Sequence, residues 1–200
     1  MNEPPSSPIV LDISDSIAIV TFDRAAERNP LSTSLLDDLD QLLRQLGDND
    51  NLSAIIFTGS EDVFLSGADI RELATLDQST ARAFSQKGQA LMQRIADAHQ
   101  VTIAAINGYC MGGGIDLALA CDLRIASKTA VFAHPGARLG IITGWGGTQR
   151  LPRVIGKVKA LELFVTGRFI GASEANDIGL VQHVQTLPLD FAITLARSLP

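Results

Sequence analysis

Gly112, Gly113 and Gly114, with Asp116 close behind in "MGGGIDLALACD", form the strongest chemical signal in the chain. Glycine loses more backbone entropy on folding than any other residue, so three together at the start of an apolar helix need a reason. A strand that runs into glycines and then a helix leaves unpaired N–H groups at the helix start, with the helix dipole behind them. With no side chains in the way, an oxygen atom can come close to those donors. "FLSGAD" has the same character: an apolar strand, Gly67, the small Ala68, then Asp69 placed to cap a helix opening at Ile70. Two such loops facing one another would make an oxyanion hole, a pair of backbone donors aimed at developing negative charge. By spacing alone, tight packing of helix on strand explains the glycines equally well.

Other glycine and nucleophile motifs do not fit. Around Gly112–Gly114 the GxGxxG spacing of a dinucleotide loop is not met, and no Lys-Ser/Thr follows as a phosphate loop requires. Ser66 is not a nucleophile elbow, because Phe64 stands two residues before it. There is no HExxH and no paired Cys/His set, so no metal site is expected. Asp116 either acts on a bound molecule or stabilises the helix N-terminus. His134 in "FAHPGARLG" is a base suited to neutral pH or a structural histidine. Trp145 in "GWGG" lines a pocket or packs on the following helix. Asp122 and Arg124 are expected to form a structural pair, while His99 and His183 carry no chemical signal.

These residues need a scaffold of buried strands and helices, and the chain can supply one. It has 200 residues, 46% of them hydrophobic and 19% charged, enough for one well-buried domain. A net charge of −6 and a pI near 5.0 argue against a nucleic-acid partner. The N-terminus lacks the basic and apolar regions of a secretory signal, and no stretch reaches membrane-spanning length. Cys110 and Cys121 read as buried free thiols, which fits a reducing cytoplasm. Residues 1–8 are expected to be a disordered Pro/Ser-rich tail. "IVLDI" and "IAIVTF" read as strands around a turn at Ser14–Ser16, followed by an amphipathic helix from about Ser32 to Leu46. "SAIIFTG", "VTIAAING", "DLRIAS" and "LVQHV" read as strands. Helices are expected over about Ser79–Ala98 and after the glycines, and strand and helix keep alternating through Val158–Phe164 and Ala172–Ile178. The class is α/β, as one domain over 9–200.

Taken together, "ERNPLS", "FLSGADIREL", "AAINGYCMGGGIDLALACDLRIAS" and "GWGGTQRLPRVIG" resemble the enoyl-CoA hydratase/isomerase (crotonase) family. The similarity runs from about Ile9 to "GRFIGASEANDIGLVQHV". It implies a right-handed spiral of ββα units, an acyl-CoA thioester as partner, and an enolate formed at the thioester carbonyl. No separate cofactor is implied, since coenzyme A is part of the substrate. A homotrimer or dimer of trimers is the assembly the resemblance implies. By resemblance the oxyanion donors are the N–H groups of Ala68 and Gly113. By the same resemblance, the Glu27–Leu31 stretch and the backbone of Ala68, Asp69 and Ile70 match places that hold the pantetheine and adenine of the coenzyme. Arg28 is either a phosphate partner or simply solvated.

The chain also departs from the family pattern. Hydratases of the family use two glutamates; here Asp116 stands at the first position and Gly136 at the second. An aspartate at the first position also occurs in relatives that shift double bonds in dienoyl thioesters, but these keep the second glutamate. One carboxylate cannot do paired acid–base work in the usual way, so efficient ordinary hydration is not expected. His134 lies two residues from the vacated position. A silent acyl-CoA-binding protein is the alternative reading. The C-terminal helical part of the family is expected to be short or missing.

Overall fold

The computed structural model describes residues 8–199. All but Pro8 of the tail expected over 1–8 therefore lies outside the described residues. The chain opens with a hairpin, β1 (Ile9–Ser14) and β2 (Ile17–Phe22), then β3 (Pro30–Leu31) and α1 (Thr33–Gly47). The Ser32 side chain accepts from Leu35 N at 3.2 Å and starts α1, which buries Leu35, Leu36, Leu39, Leu43 and Leu46 on one face.

From here a unit repeats. β4 (Ala54–Gly59), β5 (Val63–Leu65) and the short β6 (Gly67–Ala68) lead into α2 (Ile70–Leu73) and α3 (Gln78–Ala96). β7 (Val101–Ile106) and β8 (Tyr109–Met111) lead into α4 (Gly113–Ala120). β9 (Leu123–Ser127) and β10 (Val131–Ala133) lead through a 3₁₀ turn, Pro135–Leu139, into α5 (Gly147–Ile155) and α6 (Lys157–Thr166). The chain closes with β11 (Ile170–Gly171), α7 (Ala172–Asp177), β12 (His183–Gln185) and α8 (Pro188–Ala196).

Each turn of this ββα path gives one strand to each of two sheets. The larger sheet has the order β1-β2-β4-β7-β9-β12, parallel except for the opening hairpin. The smaller has the order β11-β10-β8-β5, with β5, β8 and β10 parallel. β3 and β6 pair separately.

The large sheet is apolar on both faces, as buried parallel sheets are. Ala54, Ile56, Ile103, Ala105 and Ile125 face Ala192 and Ala196 of α8. Ile55, Phe57, Ala104, Ile106 and Ala126 face the main core, which holds α1, α4 and the small sheet. Every residue of α4 is buried, so its nearly unbroken apolar sequence needs no polar face.

Three sequence expectations need correction. "GYCM" is a separate strand, β8, between the buried strand and the glycines; at three residues it is too short to show a period. Asp122 and Arg124 are not paired. Asp122 Oδ2 accepts from Thr102 N and Oγ1, both at 2.8 Å, while the Arg124 guanidinium donates to the carbonyls of Leu180, Ala118 and Cys121. Lastly, α8 was not foreseen. Among the described residues no helix is long and apolar enough to cross a membrane.

Candidate active site

Strands β5, β8 and β10 of the small sheet run parallel and deliver their following loops to the same end of the molecule. Gly67 after β5, Gly112 after β8 and His134 after β10 meet there around a cavity of about 490 Å³. A larger cavity of about 690 Å³ lies between α1 and α3, but none of the candidate residues lines it. Its Arg94 is tied to Asp40 at 2.6 Å.

Gly67 (φ +99°) and Gly112 (φ +50°) both have backbones that L side chains rarely adopt. A methyl group at Gly67 would lie 3.1 Å from Gly113 N and 3.0 Å from Met111 O, so the two loops approach closely. Gly112 is held from behind by its N–H on Ala133 O at 2.9 Å. The first bonds of α4 run from Ile115 N and Asp116 N to Gly112 O, which leaves the Gly113 N–H ahead of the intrahelical ladder. Gly113 and Ala68 both line the cavity.

Asp116 is 1% exposed and lines the same cavity one turn into α4. Its Oδ2 accepts from Thr143 Oγ1, while Oδ1 has no hydrogen-bond partner among the described residues. Burial pushes its pKa up to about 7, against the opposing effects of the Thr143 hydrogen bond and the Arg150 charge. His134, 4% exposed, places Nε2 3.6 Å from that free oxygen, and this nitrogen also has no partner. Burial lowers its pKa to about 4, so the contact is not an ion pair near neutral pH. The imidazole is braced by Phe164 of α6, ring centroids 5.0 Å apart.

The remaining sequence candidates fall in different places. Trp145 does both things foreseen for it: it lines the cavity, and its indole packs on Phe84 of α3 at 5.2 Å. Ile70 is at the cavity wall and largely exposed. The Asp69 side chain is engaged in capping α2 through Arg71 N at 2.9 Å and in pairing with the Arg71 guanidinium, which holds its pKa below the usual value. Arg28 does not line the cavity; its guanidinium stacks over Tyr109 at 4.5 Å and reaches Asp62 at 3.7 Å. Gly136 lines the cavity, but a Cβ there would lie 2.7 Å from Ile141 O. Thr143 was missed altogether, because no local pattern ties a loop threonine to an aspartate 27 residues earlier. Gly147 was missed too: a side chain there would run into the Asp116 carboxyl.

The site is thus a pair of glycine loops beside a buried carboxyl, carried by a two-sheet spiral. The comparisons give the family. Residues 12–193 match the enoyl-CoA hydratase/isomerase family, and the chain belongs to it. It is 43% identical over 180 residues to the putative enoyl-CoA hydratase/isomerase YngF of Bacillus subtilis, covering 88% of this chain and 68% of that protein. It is 40% identical over 190 residues to the probable enoyl-CoA hydratase EchA8 of Mycobacterium tuberculosis, covering 95% and 72%. The crystal structure of an enoyl-CoA hydratase from Bacillus anthracis superposes with a TM-score of 0.91 at 37% identity, covering 96% of this chain and 76% of that one. The fold is thus the crotonase spiral, and the chain is a member of a family of acyl-CoA enzymes.

Proposed function

We infer that this chain acts on an acyl-CoA thioester through an enolate, with the carbonyl oxygen between the N–H groups of Ala68 and Gly113 and Asp116 as acid and base. The observation that carries this reading is the junction of the Gly67 and Gly112 loops directly in front of a buried, half-unpartnered carboxyl. Backbone donors of this kind need no reorganisation as charge develops, and one of them is worth about 2.7–4 kcal/mol in precedent. Apolar side chains such as Leu73, Leu76, Phe84 and Ile142 line the rest of the cavity and suit a hydrocarbon acyl group. Fatty-acid or related acyl-CoA metabolism is the setting that fits, as a cytoplasmic homo-oligomer.

The test is a mass-spectrometric screen of purified protein against enoyl-, dienoyl- and β-ketoacyl-CoA thioesters. Incubation with butyryl-CoA in D₂O runs beside it, since enolate formation washes deuterium into the α-carbon. Exchange that disappears in Asp116→Asn supports the reading; absence of exchange and of turnover in the parent removes it. Gly136 favours a second reading, a protein that binds acyl-CoA without acting on it. Titration that shows binding without any exchange would establish that alternative.

A further inference from the structure

Asn29 is 2% exposed, and its side chain is engaged with main-chain groups at both ends. Its Oδ1 accepts from Arg24 N at 2.6 Å, while its Nδ2 donates to Val63 O at 2.9 Å and to Phe64 O at 3.2 Å. Arg28 and Asn29 stand at φ +69° and +47°, a left-handed backbone that non-glycine residues seldom adopt and asparagine tolerates best. The carbonyls of both accept from Ser66 N, at 3.1 and 3.3 Å. Asn29 thus fastens the segment before β3 to β5 and to the residue that joins β5 to β6.

That fastening bears on Ala68. β3 pairs with β6 over two residues, Pro30↔Gly67 and Leu31↔Ala68, too short a run to carry a pattern that fixes register. Asp69 N donates to Leu31 O at 3.2 Å. Successive N–H groups of a strand point to opposite sides, so the Ala68 N–H is turned away from β3. Ala68 itself lines the cavity. The height at which β3 sits along β5 therefore sets where that N–H aims. Gly113 is held separately, by α4 and by the Gly112 N–H on Ala133 O.

We propose that Asn29 is the positioning residue for the Ala68 donor: its side-chain amide fixes β3 against β5 and so the direction of that N–H. This role rests on the oxyanion reading above and names the side chain that holds one half of it. Asn29 does not line the cavity and acts only through β3 and β6.

The experiment compares Asn29→Gly with the parent, since glycine accepts the left-handed backbone and removes only the side chain. Two readings are taken at saturating butyryl-CoA: the infrared stretch of its ¹³C-labelled thioester carbonyl, and α-deuterium exchange in D₂O. In the parent the bound carbonyl band should lie below that of free butyryl-CoA, and in Asn29→Gly it should move back toward the free value. Losing one oxyanion donor costs about 10²–10³-fold in rate, so a misaimed one should lower exchange by about 10-fold or more. Ile56→Ala, a truncation on the α8 side of the large sheet, is the destabilised control and should leave the band in place. A folded Asn29→Gly with the parent's band and exchange overturns the proposal, even where its affinity for butyryl-CoA has fallen. A band that moves equally in Ile56→Ala overturns it as well. Asn29→Asp, which keeps the shape and the Arg24 bond but loses both donors, is the second variant and should displace the band likewise. Failure of both Asn29 variants to fold assigns the residue to the fold alone and overturns the proposal. A parent that binds butyryl-CoA without lowering its band removes the oxyanion reading and the proposal together. A lowered band in the parent leaves that reading standing whatever Asn29→Gly does.

Discussion

His134 Nε2 and Asp116 Oδ1 face one another at 3.6 Å inside the protein, reached from two different strands of the small sheet, and each lacks a hydrogen-bond partner. The imidazole follows β10 and the carboxyl sits in the helix that follows β8, and these strands pair in register from Val131↔Tyr109 to Ala133↔Met111. Their separation is therefore set by main-chain hydrogen bonds, not by a flexible loop. The helix end also keeps the carboxyl within one turn of the Gly113 donor.

This pairing makes a pH prediction with opposite signs in two variants. Asp116 has a folded pKa of about 7 against 3.8 ordinarily, so by itself it costs stability as pH rises from about 4 to 7. His134 has a folded pKa of about 4 against 6.5, so by itself it adds stability over nearly the same rise, from about 4 to 6.5. In the parent the two offset, because folded and unfolded chains each carry one proton across that window. Thr143 and Arg150 act on Asp116, and the Cys110 thiol of β8, raised by burial, stays protonated throughout. Unfolding free energies from denaturant titrations at pH 4 to 7 should rise with pH in Asp116→Asn and fall in His134→Gln, each by an amount of order 3 kcal/mol.

Asp116→Asn should also lower α-deuterium exchange by about 10²–10⁴-fold while acyl-CoA still binds, since the backbone donors are untouched. Calorimetric titration with acetyl-CoA and mass spectrometry of butyryl-CoA check the two halves of that statement.

Gly136→Glu tests whether the site can take an acid at the position where the family resemblance implies one. The new Cβ would press on Ile141 O at 2.7 Å, in a turn closed by Ile141 N on Gly136 O at 3.0 Å. The variant should unfold more easily by about 1–3 kcal/mol and gain no hydration activity. Thermal denaturation and a crotonyl-CoA assay test this; a folded variant with a 10²-fold gain in hydration would show that the turn yields and the site accepts the acid.

Gly113→Ala should drive its methyl group into the Trp145 ring, whose nearest carbon would be 2.5 Å away. The expected cost is about 1–3 kcal/mol. Combining it with Trp145→Leu should recover part of that loss, with a coupling of about 0.5–3 kcal/mol in a double-mutant cycle. Additive effects would mean that the strain lies elsewhere.

Much of the scaffold was readable in the sequence because β4, β7 and β9 are five or six residues long, mostly buried and apolar, and end in turn signals. The helix from Ser32 declared itself by its cap and leucine spacing. Of the small sheet only the strand before Gly67 did so; Tyr109–Met111 and Val131–Ala133 are too short to carry a period and are defined by pairing across 20 or more residues. The candidate site divides in the same way. Gly67, Gly112 and Asp116 advertise themselves locally, through glycine at strained backbone positions and an acid in an apolar helix. Thr143 and Gly147 matter only because α5 packs beside α4, and the opposition of Arg124 to backbone carbonyls depends on Leu180 arriving from far along the chain.

Trp145 is the single tryptophan of the chain, and its indole lies between Gly88 of α3 and Gly113 at the start of α4. All of the protein's indole emission therefore originates at one wall of the cavity, within contact of the glycine that opens α4. The ring is only 3% exposed, so a molecule bound at that wall is expected to shift the packing and polarity that set the emission wavelength. The molecule thus carries an intrinsic optical gauge of occupancy, readable without label or substitution.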